Sequence, residues 1–304
     1  MSGKVEWIAV DWGTSNLRAW GMDVAGNASF SAESDKGMGK LAREQFPAAL
    51  LDLLAPHAGN VAPIDAVICG MAGARQGWLE APYLEAPARL SDLAARSVNV
   101  TAGHISGRIL PGVAQKTAGH EDVMRGEETQ LLGLLRLKPG FTGVAILPGT
   151  HGKWAEVADG RLIRFATAMT GELFEALSTH TVLRHSFNGT QNGPAAEDGV
   201  DAGLTAGLAE PQLLTSLLFR TRAAALLSGK GADWCAGYLS GLLVGAEIAG
   251  HRDWLKGQSV PLIGSARLNR LYGAALARLG IASEPIHASD ATLAGLIEAR
   301  RLSQ

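Results

Sequence analysis

The chain has 304 residues, 47% hydrophobic and 18% charged, with a formal net charge of −2. That length suits one large domain or two ordinary ones, and the near-neutral balance leaves no basic footprint for nucleic acid. Two well-separated cysteines, Cys69 and Cys235, offer neither a disulfide framework nor a metal spacing and suit a reducing compartment. The opening MSGKVEWIAVDWG lacks the apolar core of a signal peptide. The longest weakly charged run, Cys235 to Ala246, is too short to span a membrane. The expectation is a cytoplasmic protein with no membrane or nucleic-acid partner; oligomeric state is not legible.

Residues 5–10 read as a buried strand running into Asp11. After the turn Gly13-Thr14-Ser15-Asn16, residues 17–22 read as a second strand, and residues 28–33 as a third. Leu41, Phe46, Leu50, Leu51 and Leu54 fall at helical spacing and predict a helix over 40–55. Residues 65–69 read as a strand entering the loop GMAGARQGW, residues 88–96 as a short helix, and residues 98–102 as a strand. A strand at 144–147 then meets the turn Pro148-Gly149-Thr150-His151-Gly152. Strands at 153–157 and 161–166 flank the turn Ala158-Asp159-Gly160, and a helix follows from about Glu172. Strand, Gly-Thr turn, strand, hairpin turn, strand, helix thus occurs twice. The repeat predicts two α/β lobes facing a ligand cleft, 1–138 and 139–304, with the boundary at Lys138-Pro139-Gly140.

A Gly-Thr turn between strands presents backbone N–H groups and a hydroxyl, which can cradle phosphate oxygens without a helix dipole. Two such turns could grip a polyphosphate from both sides. Asp11 at its strand end would hold Mg²⁺, since that ion takes one or two carboxylates along with phosphates. Thr14, Ser15 and Asn16 would hydrogen-bond the phosphates. The alternative is an Asp11 that caps its own turn. No GxxxxGK[ST] occurs. Gly37-Met38-Gly39-Lys40-Leu41-Ala42 matches GxGxxA, but it follows the polar SAESDK and reads as a loop.

IAVDWGTSNLRAW resembles the first phosphate motif of the actin, Hsp70 and sugar-kinase superfamily, and LPGTHGKWAEV resembles the second. Residues 260–266, VPLIGSA, with the amphipathic stretch to Leu279, are similar to its adenosine motif. Gly237, Gly241 and Gly245 give a helix with a bare face for close crossing, similar to the second inter-lobe helix; the first would run from Asp122 to Gly133. More narrowly, DWGTSNLRAW, GMAGARQGWLEAPY, DVMRGEETQLLG, LPGTHGKWAEV and TAMTGELFEAL together resemble the 2-dehydro-3-deoxygalactonokinase family from end to end.

The resemblance implies a two-lobed actin-like ATPase (ribonuclease H-like) fold. It implies ATP and Mg²⁺ as cofactors and a small sugar acid as partner, phosphorylated on its 6-hydroxyl in galactonate breakdown. Glu127 is then the candidate base, with Glu128 its rival by one position. Gly13, Thr14, Ser15, Asn16, Gly149, Thr150, His151, Lys153, Gly264 and Ser265 would bind the nucleotide, with Asp11 on the metal. Arg75 would take the acid end of the substrate, with Gln76 and Trp78 on the same wall and Glu172 on its hydroxyls or capping its own helix. Lys153 would touch the terminal phosphate or point to solvent. His104, His120, His151 and His180 show no zinc spacing.

Overall fold

The fold comes from a computed structural model and is described for residues 4–57, 63–187, 194–256 and 259–304. These fall into two compact units. One comprises Met1–Thr142, Glu156–Phe165 and Ala288–Gln304, the other Gly143–Ala155 and Ala166–His287. The units do not follow a single boundary near Lys138, because the chain's last helix returns to the first unit.

In the first unit, β1 (Trp7–Trp12), β2 (Leu17–Met22) and β3 (Ala28–Ser34) form an antiparallel trio. Helix α1 (Phe46–Leu54) follows, then β4 (Ile64–Gly70), which pairs parallel with β1. Next come β5 (Leu84–Glu85), β6 (Ala88–Arg89), α2 (Asp92–Ala95), β7 (Val98–Ala102) and β8 (Ile105–Ile109). They are followed by β9 (Val113–Gln115), β10 (Asp122–Met124) and α3 (Glu127–Leu137). The main sheet has the order β3-β2-β1-β4-β8-β7. Its apolar faces, with Trp12, Leu17, Phe46, Leu50, Ile68 and Ile105, make a closed core.

Three expected helices are shorter than the sequence suggests. Residues 38–40 and 43–45 form 3₁₀ turns, and α1 begins only at Phe46, with Pro47 in its first turn, where the missing N–H costs nothing. Ala88 and Arg89 are taken into strand pairing with Leu162 and Arg161, leaving only Asp92–Ala95 helical. Asp122–Met124 pair with β9, so the helix expected from Asp122 starts at Glu127, after Gly126 at φ +112°.

The second unit begins with β11 (Gly143–Leu147) and β12 (Gly152–Ala158). Next, β13 (Arg161–Ala168) leads into α4 (Thr170–His180), α5 (Pro194–Ala209), α6 (Leu214–Leu227) and α7 (Ala232–Gly250). The hairpin tip Glu156–Phe165 belongs to the first unit. After α7 come β14 (Val260–Gly264), α8 (Ala266–Arg278) and β15 (Ser283–His287). Strands β15, β14 and β11 run parallel, and β12 lies beside β11. The chain closes with α9 (Ala288–Leu302) in the first unit.

Each unit holds a helix pair in backbone contact. A Cβ on Gly241 of α7 would lie 2.4 Å from Val200 O of α5, which is the close crossing that the glycine spacing predicts. In the first unit, a Cβ on Gly133 of α3 would lie 1.9 Å from Ala291 O of α9. Among the described residues no helix is long and apolar enough to cross a membrane.

Candidate active site

In the first unit the Gly13–Asn16 turn leaves the end of β1. Gly37 N donates to Ser15 O at 3.2 Å, Met38 N to Gly13 O at 3.0 Å, and Gly39 N to Thr14 O at 2.9 Å. In a trans peptide the C=O of one residue points opposite to the N–H of the next. The N–H groups of Thr14, Ser15 and Asn16 therefore face away from this backing strip, and all three residues are exposed. A Cβ on Gly37 would sit 2.2 Å from Ser15 C, so only glycine brings the strip this close. The GxGxxA match is thus the backing of the Gly13–Asn16 turn. Sequence reasoning set this strip aside although its glycines were the signal.

Asp11 stands in register with Arg18 on β2 and Cys69 on β4, and the Cys69 thiol donates to its Oδ1 at 3.8 Å. Gly13 N is bonded to Asn16 O at 2.8 Å, so Asp11 does not cap this turn. Burial raises the Asp11 carboxyl above its ordinary value; the Arg18 charge opposes this, and nearby Glu127 adds to it. A carboxylate at a strand end, such as Asp11, suits one Mg²⁺ shared with phosphate oxygens. Among the described residues no three His, Cys, Asp or Glu side chains form a metal set, so any ion here would rely on the nucleotide for its other ligands.

Glu127 and Glu128 open α3. Gly70, at φ +84°, brings the end of β4 against β1, where a Cβ would meet Trp12 O at 2.5 Å. Gly126 then passes within close range of Gly70. The helix start is therefore seated against the end of β4, the strand that pairs with the one carrying Asp11. Glu128 is fully buried: Oε2 accepts from Gly126 N at 2.7 Å and Oε1 from Thr129 Oγ1 at 3.1 Å. Burial, with Glu127 beside it, pushes Glu128 up to about 7. Glu127 is half-buried, and its Oε2 accepts from Arg125 N at 3.1 Å. Of the two, Glu127 is the one a substrate can reach.

The loop after β4 separates the predicted substrate residues. Arg75 and Gln76 are exposed at its tip. Trp78 is not a pocket wall. It is 9% exposed and packs in the core, its ring centroid 6.1 Å from that of Trp12. Large aromatic rings are worth most when buried, which is where this one goes.

In the second unit the Gly149–His151 turn is backed by the start of α4. A Cβ on Gly171 would lie 2.6 Å from Gly149 O, and Glu172 N donates to Thr150 O at 3.1 Å. The Glu172 carboxylate pairs with His151 Nε2. Lys153 does not point to solvent: it is 3% exposed and donates Nζ to His151 O at 2.7 Å. Gly149, Thr150 and His151 keep partly or fully exposed surfaces.

A cavity of about 130 Å³ reaches from this turn to α8, lined by Gly149, Thr170, Phe174, Ser240, Arg267 and Tyr272 among others. An apolar slot ending at a glycine turn suits a nucleoside whose phosphates continue onto that turn. Gly264 and Ser265 do not line it. A Cβ on Gly264 would meet Asn269 Oδ1 at 2.9 Å and Pro148 Cδ at 3.4 Å, so its close neighbours are protein atoms. Ser265 caps α8, its hydroxyl accepting from Leu268 N at 3.3 Å. The lining residues come one turn later.

Glu247, on α7, is a site residue that sequence reasoning missed. It is buried and accepts from Thr170 Oγ1 at 2.5 Å, Tyr272 OH at 2.6 Å and Trp154 Nε1 at 2.7 Å. It ties two walls of the cavity to β12. Burial and this carboxylate raise the Tyr272 phenol well above its ordinary range, so it stays a donor. The signal was a lone acid inside the apolar YLSGLLVGAEIAG.

The architecture is α/β with an actin-like fold. At the level of fold alone it is similar to component A of (R)-2-hydroxyglutaryl-CoA dehydratase from Acidaminococcus fermentans. That match has a TM-score of 0.54 at 12% identity over 99% of this chain and 100% of that one. The family model described as 2-keto-3-deoxy-galactonokinase matches residues 11–299. A Rhizobium meliloti (strain 1021) protein to which the name 2-dehydro-3-deoxygalactonokinase is provisionally attached is 40% identical over 97% of this chain and 96% of its own. The 2-dehydro-3-deoxygalactonokinase of Escherichia coli (strain K12) is 33% identical over 95% and 96%. A Sinorhizobium meliloti crystal structure carrying the same provisional name matches with a TM-score of 0.87, at 40% identity over 97% and 96%. The chain belongs to the 2-keto-3-deoxy-galactonokinase family.

Proposed function

We propose that this protein transfers the terminal phosphoryl group of ATP to the 6-hydroxyl of 2-dehydro-3-deoxy-D-galactonate, in the cytoplasm, as a step of galactonate catabolism. The family and the names of its relatives support the reaction. The observation that carries the mechanism is the division at the start of α3: Glu128 is buried with both oxygens engaged, while Glu127 is only half-buried and close enough for its charge to act on Asp11.

Phosphoryl transfer asks a protein mainly for positioning and charge neutralisation. The two Gly-Thr turns hold phosphate oxygens through backbone N–H groups and the Thr14, Ser15 and Thr150 hydroxyls. The second-unit cavity holds the nucleoside. Asp11 would hold Mg²⁺, which when bound offsets phosphate charge. Glu127 accepts the proton of the attacking hydroxyl, a contribution typically worth ~10²–10⁴-fold.

The test is ADP release from Mg-ATP across a panel of sugars and sugar acids. Rapid release with 2-dehydro-3-deoxy-D-galactonate alone is expected. Release with a different sugar would replace the substrate and keep the kinase; release indifferent to every sugar would remove the kinase reading.

A further inference from the structure

A carboxylate substrate approaching Asp11, Glu127 and Glu128 meets acids of its own sign, so its acid end needs a cation elsewhere. Three arginines border the loop between Gly70 and Tyr83. Arg43 is committed to the loop backbone, with Nε to Gly77 O at 3.2 Å and Nη2 to Arg75 O at 2.5 Å. Arg75 is exposed at the tip, where water already solvates a guanidinium well.

Arg125 differs from both. It precedes Glu127 by two residues, and its Cζ lies 4.3 Å from the centroid of the Tyr83 ring. Its Nη2 donates to Ala81 O at 2.9 Å, whereas Nε and Nη1 are closed off from water and have no partner. Each edge of the guanidinium thus keeps one N–H without an acceptor. Gly73 makes the room, since a Cβ there would lie 2.7 Å from Nη1. Unpaired donors on a charged group are costly away from water. The acceptor whose shape and charge match a guanidinium edge is a carboxylate. The loop whose Gly73 lies beside Nη1 also carries Gly70 and Gly77.

We propose that Arg125, rather than Arg75, binds the carboxylate of the sugar acid; this rests on the kinase reading above. Arg125 then fixes the acid end while Glu127, two residues on, addresses the hydroxyl at the other end. The specificity for an acid over a neutral sugar is set there.

The experiment compares 2-dehydro-3-deoxy-D-galactonate with its C1 carboxamide as substrates for wild type, Arg125→Gln, Arg125→Lys and Arg75→Gln. Arg125→Gln is expected to lower kcat/KM for the acid ~10–100-fold, chiefly through KM, while the carboxamide and the KM for ATP change by less than about threefold. Arg125→Lys, which keeps the charge and loses the planar edge, should show a smaller loss with the same acid selectivity. It carries the test should Arg125→Gln fail to fold. Equal losses for acid and carboxamide would make Arg125 a structural residue and overturn the proposal. So would an acid-selective loss in Arg75→Gln, or a wild type indifferent to the two substrates. A wild type inactive on both removes the kinase reading and this assignment together, an outcome that the wild-type control separates from the others.

Discussion

The two Gly-Thr turns share a place between successive strands and differ in what stands behind them. In the first unit a glycine strip, Gly37–Gly39, takes the carbonyls of the turn, and the charges nearby are mainly acids, Asp11, Glu127 and Glu128, with Arg18 the opposing cation beside Asp11. In the second unit a helix start takes Thr150 O, and the cationic groups at the turn are Lys153 and, when protonated, His151, with Glu172 paired to the latter. A repeated supersecondary unit has therefore been given opposite electrostatics. Acids can reach phosphate only through a cation and can also take a proton; bases can address phosphate directly. On the proposed mechanism the repeat would supply the cradle, while the residues just behind each turn would supply the chemistry.

The sharpest way to break that comparison is at Glu127. Glu127→Gln should lower kcat ~10²–10⁴-fold with little change in the KM for ATP, because only the proton acceptor is lost. Steady-state kinetics checks this, and a variant retaining full kcat would move the base elsewhere.

Glu128 sharpens the contrast through stability. Its carboxyl is raised from 4.5 to about 7 in the folded state, so the native protein holds a proton that the unfolded chain releases. This contribution is fully present below about pH 4.5 and is lost as pH rises toward 7; a rise of that size corresponds to roughly 3 kcal/mol. Glu128→Gln should flatten the fall in unfolding free energy between about pH 5 and about pH 7.5 and be relatively more stable at the upper end. Denaturant titrations at several pH values measure it. An unchanged slope would mean that Glu128 is ionised throughout.

These two residues also mark how far sequence reading reaches. The strand–turn–strand order, both Gly-Thr turns and the glycine-faced helix were legible because each depends on local pattern: apolar runs, turn residues and fixed spacing. The choice between Glu127 and Glu128 was not, since adjacent residues on a helix differ by rotation alone and only the packed neighbours tell which side is inside. Trp78 went from expected pocket wall to core, and Lys153 from possible solvent residue to buried donor, for the same reason. Arg125 and Glu247 matter through contacts with Ala81, Tyr83, Thr170 and Tyr272, distant in sequence, which periodicity does not encode.

The backing segments give the next test. Gly37→Ala and Gly171→Ala each place a methyl within 2.2 Å and 2.6 Å of turn backbone, respectively. Overpacking of this kind costs typically ~1–3 kcal/mol, and here the turn itself must move. Both variants should raise the KM for ATP more than they change the KM for the sugar acid. Equal changes in the two constants would mean that the strip and the helix start support the fold but do not set the phosphate cradles.

The smallest expected effect concerns the His151–Glu172 pair, present only behind the second turn. Both side chains are about half exposed, at 52% and 47%, and exposed ion pairs are worth ~0.2–1 kcal/mol. A double-mutant cycle with His151→Asn and Glu172→Gln, read in the KM for ATP, should give a coupling of that size, about 1.4- to fivefold. A coupling in that constant, absent from the KM for the sugar acid, would place Glu172 on the nucleotide side as the orienter of His151. Coupling that appeared instead in the sugar-acid constant would return Glu172 to the substrate hydroxyls. The opposite electrostatics of the two turns would then rest on Lys153 alone.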